Sequence, residues 1–289
     1  MNEVRFIHLT DLHIGHPTEP DSHLYSDTSE TLQKTLQIIK EIEPKPAFIV
    51  ASGDLTNRGD PASFRHLKSM FADIDIPVFY ALGNHDTREG YYKGMLDRET
   101  EIHPPLFYDQ LIEGIHVIVL DSSIPGKISG ALDEHQFTWL AERLQAYDQS
   151  PKLIVSHHPP ALGDIPDWDF WRTIEFHQSQ RLADLLKGKN ILGILSGHIH
   201  HDRVSMWHGV PVIVGTGHHA ATDILHTEGL RMVSAASFGL GVIRSSGLTI
   251  AFVPMPSERK ELNYVPYDRM IKMVTDRENS NSNTTVGES

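Results

Sequence analysis

The sequence predicts an α/β fold with a β-rich second half, and three observations carry that reading. Up to about residue 201, short apolar runs alternate with segments of helical periodicity. That is the pattern of strands joined by crossover helices, and so of largely parallel sheet. After His201 no helix-length pattern appears, and Gly and Ser-Gly turns separate short apolar or alternating runs, as in antiparallel hairpins. Finally, no linker or internal repeat divides the 289 residues, a length that can bury a substantial core. One domain over residues 1–270 is therefore expected. Beyond it, residues 271–289, rich in Ser, Asn, Thr and acids, read as a disordered tail.

Val4–Leu9 is an apolar run and reads as a buried first strand ending in Thr10-Asp11-Leu12-His13. Over 27–43, Leu32, Leu36, Ile39 and Ile42 recur at helical spacing, and Pro44 stops the pattern. Residues 47–51 are a second strand, closed by Ser52-Gly53-Asp54. Pro61 suits a helix's first turn, and Phe64, Leu67, Met70 and Phe71 form its buried stripe. Residues 76–82 are a third strand, closed by Gly83-Asn84-His85-Asp86. Residues 87–110 show little periodicity and read as an irregular segment.

A strand at 115–120 ends in Asp121-Ser122, and Asp133 caps a helix with Phe137, Leu140 and Leu144 inward. A strand at 153–155 ends in Ser156-His157-His158-Pro159-Pro160. Residues 161–172 carry Trp168, Phe170 and Trp171 and read as a lid over a site or as a loop tucked on the surface. A helix follows over 175–186, then a strand at 191–195 ending in Ser196-Gly197-His198-Ile199-His200.

Composition narrows the partners. Lys and Arg number 25 against 38 Asp and Glu, a formal charge of −13. Such a surface disfavours polynucleotides and anionic membranes, though bound cations would still admit a phosphate substrate. The chain has no cysteine, which excludes disulfides and thiolate sites and suits the cytoplasm. No apolar run approaches the roughly 20 residues of a membrane span. The first strand begins at Val4, which leaves no room for a signal peptide.

Five strand ends carry Asp11 and His13, Asp54, Asn84 and His85, His157 and His158, and His198 and His200. Singly, each is an ordinary turn former or a satisfied histidine. Together, at the carboxyl ends of parallel strands where α/β sheets bind ligands, they point to a metal site at one sheet edge. Carboxylate, imidazole and amide oxygen without thiolate suit Fe, Mn, Zn or Co. A carboxylate can bridge two ions roughly 3.5–4 Å apart that clamp a phosphoryl group. Neither a glycosidase carboxylate pair nor a Gly-x-Ser-x-Gly elbow is present.

With Asp11-x-His13, Gly53-Asp54, Gly83-Asn84-His85-Asp86, His157-x-Pro159 and Gly197-His198-x-His200 in order, the sequence resembles the calcineurin-like metallophosphoesterase superfamily. Leu120-Asp121-Ser122, Gly130-x-Leu132 and Gln136-x-x-Trp139-Leu140 are similar to the bacterial branch of class III cyclic nucleotide phosphodiesterases and glycerophosphodiesterases. The resemblance implies a four-layer αββα sandwich with two mixed β-sheets. It implies one metal ion on Asp11, His13, Asp54 and His200, and a second on Asp54, Asn84, His157 and His198, with Asp54 bridging. The His-x-Pro frame selects His157 over His158. His85 would stabilise the transition state or protonate the leaving alkoxide, and Asp86 would orient a neighbour.

The implied activity is hydrolysis of a small phosphodiester, such as 3',5'-cAMP or a glycerophosphodiester, by a hydroxide bridging the ions. A phosphomonoesterase and a non-catalytic scaffold are the alternatives. Relatives in this branch are often dimers or larger, so a homo-oligomer is expected. His218 and His219 receive no role and read as loop polar groups.

Overall fold

Alternation along the strands builds the layers. The computed structural model describes residues 3–100, 103–163, 171–255, 261–273 and 275. Strands β1 (Val4–Leu9), β2 (Phe48–Ala51) and β3 (Val78–Tyr80) run parallel, with helices α1 (Thr28–Lys40) and α2 (Pro61–Met70) between them in the chain. A second sheet has the order β4-β5-β6-β7-β9-β8. In it β5 (Ile115–Val119), β6 (Lys152–Val155), β7 (Ile191–Ser196) and β9 (Val210–Val214) are parallel. Its antiparallel edges are β4 (Tyr108–Ile112) and β8 (Arg203–Trp207). Helix α3 (Arg88–Met95) follows β3, and α4 (Glu134–Gln145) and α5 (Phe176–Leu186) precede β6 and β7.

Side chains on a strand alternate between faces. From β1 and β2, Ile7, Leu9 and Ile49 pack with Leu32, Leu36, Phe64 and Leu67 of α1 and α2. The alternate positions Val4, Phe6, Phe48 and Val50 pack with Val117, Val119, Leu153 and Ile213 of the second sheet. That sheet's other face sends Ile118, Ile154 and Ile194 against Phe137, Leu140, Leu182 and Leu186. The order of layers is therefore helix, sheet, sheet, helix, with each fully buried Leu, Ile or Phe contributing roughly 1.5–3 kcal/mol.

The second half of the chain divides differently from the expectation. Strands β12 (Ala236–Arg244) and β13 (Gly247–Met255) extend the first sheet antiparallel, giving β13-β12-β1-β2-β3. Strands β10 (Ala221–Thr222), β11 (Gly229–Val233) and β14 (Glu261–Pro266) form a third, antiparallel sheet beyond the two expected. A short helix over 267–273 also runs through the boundary placed at residue 270, where no helix was expected.

The irregular reading of 87–110 is corrected as well. Thr87 caps α3 by accepting from Gly90 N at 2.9 Å. Gly90 hides this helix from propensity reasoning, yet the packing demands it: a Cβ there would lie 1.9 Å from the Gly59 carbonyl oxygen. Helix α1 stops at Lys40, and Ile42 reaches the core from beyond the helix. Trp168 and Phe170, from the segment read as a lid or a surface loop, and nearly all of the expected tail lie outside the described residues. Among the described residues no helix is long and apolar enough to cross a membrane.

Candidate metal centre

The site forms where the two sheets meet, not along one sheet edge. Asp11 and His13 follow β1, Asp54 follows β2, and Asn84 and His85 follow β3, all from the first sheet. His157 follows β6, and His198 and His200 follow β7, from the second. The chain bends sharply to deliver them. Among the described residues ten non-glycine residues have positive φ, and five of these are Asp11 (46°), His13 (45°), Asp54 (46°), His198 (74°) and His200 (51°). Each such residue costs on the order of 1–3 kcal/mol and persists only where its surroundings enforce it. Enforcement comes from backbone bonds between the loops, with Asp11 N donating to Gly53 O at 3.0 Å and His13 N to Asp54 O at 2.9 Å.

Gly197 shows how tightly the loops close. A Cβ there would lie 1.9 Å from Thr10 Oγ1 and 2.3 Å from Asp11 Oδ2. We expect Gly197→Ala to lower stability by about 1–3 kcal/mol. A thermal melt with an unchanged midpoint would show that the loops can yield.

Four histidines share one arrangement. Nδ1 of His13 meets Asn57 Oδ1 at 3.0 Å, and Nδ1 of His157 donates to Ser52 O at 3.0 Å. Nδ1 of His200 donates to Ala220 O at 3.0 Å, and Nε2 of His198 donates to Trp171 O at 2.7 Å. An oxygen acceptor fixes the proton on one ring nitrogen and leaves the other bare, as metal-binding histidines require. The nitrogens not tied to these oxygens converge. His157 Nε2 lies 3.2 Å and His13 Nε2 3.7 Å from Asp54 Oδ2, while His200 Nε2 lies 3.4 Å from Asp11 Oδ1. His198 Nδ1 faces Asn84 Oδ1 at 2.9 Å.

These contacts fit a cation. Nε2 of both His13 and His157 is buried without a well-formed hydrogen bond. Burial and the neighbouring imidazoles of His85 and His219 keep His13 well below the usual histidine range, so it stays neutral. Burial and His157 likewise push His198 down to about 3. Its bare Nδ1 therefore touches an amide oxygen with no proton between them, a clash of acceptors that a cation relieves. Burial alone would lower His157, but the Asp54 carboxylate outweighs it and raises the ring to about 9, so a proton competes for the position a cation would take. Burial raises the Asp11 carboxyl. Asp54, equally buried, is held well below the usual range by His157 and His85.

The remaining candidates sort by contact. His158 uses both nitrogens elsewhere, on Ser122 Oγ at 2.8 Å and Ile128 O at 2.9 Å, so its ring is committed to the fold. His85 is exposed; its Nδ1 donates to Asn57 O at 2.9 Å, and its backbone N donates to Asp54 Oδ1 at 2.8 Å. Asp86 turns away from the cluster. Its carboxylate accepts from Leu55 N, Thr56 N and Gly83 N at 2.9–3.0 Å and from Thr56 Oγ1 at 3.0 Å. Burial and the Asp54 charge raise it to about 6 against the pull of those donors. It latches two loops and does not touch the reacting centre.

Sequence reasoning missed several contributors. Asn57, three residues past Asp54, touches both His13 and His85, and its place in the Asp54 loop was the available signal. The carbonyls of Ser52, Trp171 and Ala220 carried none. His218 is a structural anchor, bonded to Thr35 Oγ1 at 3.2 Å. His219 is part of the site wall: its ring lies 4.8 Å from that of His13 and stacks on Tyr25 at 5.2 Å.

The family model of calcineurin-like phosphoesterases matches residues 4–202, which include every one of these candidate ligands. The chain belongs to the calcineurin-like phosphoesterase family. Family membership implies a binuclear metal centre, and the convergent donors fit one. The chain is similar to a probable cyclic nucleotide phosphodiesterase of Rhodococcus erythropolis, 33% identical over 218 residues, 73% of this chain and 69% of the relative. It is also similar to a probable glycerophosphodiester phosphodiesterase of Arcobacter nitrofigilis, 29% identical over 68% of this chain and 73% of the relative. The fold matches that of the protein TT1561 of Thermus thermophilus with a TM-score of 0.55 at 14% identity, over 86% of this chain and 98% of the other.

Proposed function

We propose that this chain is a binuclear metal-dependent phosphodiesterase acting on small phosphodiesters, cyclic nucleotides foremost, with residues 1–270 as its catalytic domain. One observation carries the reading: four histidines, each with one nitrogen tied to an oxygen acceptor, turn the other toward Asp11, Asp54 and Asn84. Asp11, His13, Asp54 and His200 would hold one ion, and Asp54, Asn84, His157 and His198 the other, from among Fe, Mn, Zn and Co. When bound, such ions supply positive charge against phosphoryl oxygens and acidify a water. The names of the similar proteins from Rhodococcus and Arcobacter support a diester substrate, and the acidic balance of 38 to 25 favours small substrates over polynucleotides.

His85 supplies the proton. Its Nδ1 is engaged by Asn57 O, which leaves Nε2 as the working nitrogen. The residue borders a cavity of about 900 Å³ that is also lined by Asn84, Arg88, His103, Ser123 and Pro125. A protonated Nε2 there can hand its proton to a departing alkoxide. His85→Ala is expected to lower kcat by about 10²–10⁴ while leaving metal content intact. Metal content that falls with turnover would make His85 a ligand instead.

The test of the whole reading compares bis(p-nitrophenyl) phosphate with p-nitrophenyl phosphate, using protein stripped of metal and reloaded with Mn²⁺. Diester turnover that returns with metal supports it. A preference for the monoester makes the chain a phosphatase, and no metal-dependent turnover on either substrate rejects the proposal.

A further inference from the structure

Asn57 is a junction. Its side-chain oxygen faces His13 Nδ1 at 3.0 Å, its backbone oxygen accepts from His85 Nδ1 at 2.9 Å, and its backbone N donates to Ile14 O at 3.1 Å. The orientation of its amide therefore decides which nitrogen of His13 carries the proton. An oxygen turned to the ring puts the proton on Nδ1 and leaves Nε2 bare toward Asp54. An NH₂ turned to the ring would do the reverse and spoil the ligand.

The amide cannot choose for itself, since oxygen and NH₂ are nearly isosteric. Its other end meets Asp21, where Asn57 Nδ2 donates to Oδ2 at 2.7 Å. An ionised carboxylate can only accept hydrogen bonds, so it forces the NH₂ toward itself and the oxygen toward His13. We propose that Asp21 is a positioning residue that, through the amide of Asn57, sets the tautomer of His13 and so primes it to bind metal. This rests on reading His13 as a ligand of the phosphodiesterase centre.

The surroundings suit that role. The Asp21 side chain is only 5% exposed although it belongs to a surface loop. Arg58 grips it with two bonds, Nε to Oδ2 at 2.5 Å and NH2 to Oδ1 at 2.7 Å, and His23 N adds a third at 3.0 Å. The Arg58 guanidinium beside Asp21 holds its carboxyl well below the usual range, so the acceptor is present throughout ordinary assay conditions. The order is directional: Arg58 pins the carboxylate, the carboxylate orients the amide, and the amide orients the ring. Only the second link needs a pure acceptor at position 21.

Asp21→Asn keeps size and shape but offers a donor as well, so the Asn57 amide is free to turn round. In the metal-free full chain, with histidine labelled by ¹⁵N, long-range ¹H–¹⁵N spectra report the tautomer of each ring, and His13→Ala identifies the His13 signal. Wild type is expected to carry the His13 proton on Nδ1 and Asp21→Asn to show a mixture or the other tautomer. Mn²⁺ affinity for the tighter site, measured by calorimetry, is expected to weaken about tenfold in that variant. Arg58→Ala, which leaves the acceptor in place, is expected to keep the wild-type tautomer and an Mn²⁺ affinity within about twofold of wild type on the same reasoning.

An unchanged His13 tautomer in Asp21→Asn overturns the proposal. So does an Arg58→Ala protein that shifts the tautomer as far as Asp21→Asn does, because the ion pair and not the acceptor would then be responsible. If wild type binds no Mn²⁺ yet its tautomer follows Asp21, the functional reading fails while the tautomer relay stands.

Discussion

Asp54→Asn is expected to lose metal-dependent diester hydrolysis by about a thousandfold or more while folding normally. Asn is isosteric and can still accept from His85 N, a bond of 2.8 Å in the parent, through its oxygen. It cannot reproduce the charge on Oδ2. That one oxygen lies 3.7 Å from His13 Nε2 and 3.2 Å from His157 Nε2, so it faces donors assigned to both ions. Removing it weakens both sites at once. Charge stabilisation by bound metals amounts to several kcal/mol, and each 1.36 kcal/mol is tenfold in rate. Turnover after Mn²⁺ reloading, with metal content measured alongside, checks this. A variant that turns over normally with two ions bound would take Asp54 out of the centre.

Asp86→Ala is expected to cost about 4 kcal/mol of stability, the largest single loss we foresee outside the core. Its carboxylate satisfies three buried backbone donors, Leu55 N, Thr56 N and Gly83 N, and the Thr56 hydroxyl. Each donor orphaned by the change costs about 1–3 kcal/mol, and the losses overlap because the groups can relax together. The latch joins the loop carrying Asp54 to the loop carrying Asn84 and His85, so activity should fall with stability. Asp86→Asn should rescue little, since its NH₂ would face another donor. Urea denaturation of the metal-free proteins measures both, and an Asn variant as stable as wild type would refute the latch.

Much of the site was legible in the chain because its residues sit at strand ends, and strand ends announce themselves. An apolar run stops, a threonine, serine or glycine follows, and packing alone would not ask for the polar group that comes next. Asp11, Asp54, Asn84, His157, His198 and His200 were all found this way. Helix α3 was not, because Gly90 and Gly94 are poor helix formers and nothing local reveals that Gly59 lies against the first and α2 against the second. Nor was the third sheet, since β10 has only two residues and β14 pairs with β11 across some thirty positions of chain.

The sequence by itself determined which donors are present and that they gather at the carboxyl ends of strands, since residue type and strand period are local properties. Tertiary structure decided which nitrogen each donor presents. The tautomers of His13, His157, His198 and His200 depend on oxygens of Asn57, Ser52, Trp171 and Ala220. Three of those four oxygens are backbone carbonyls, which every residue carries, so no choice of side chain marks them. A cation reads the direction of a lone pair, and that direction exists only once two sheets have packed face to face.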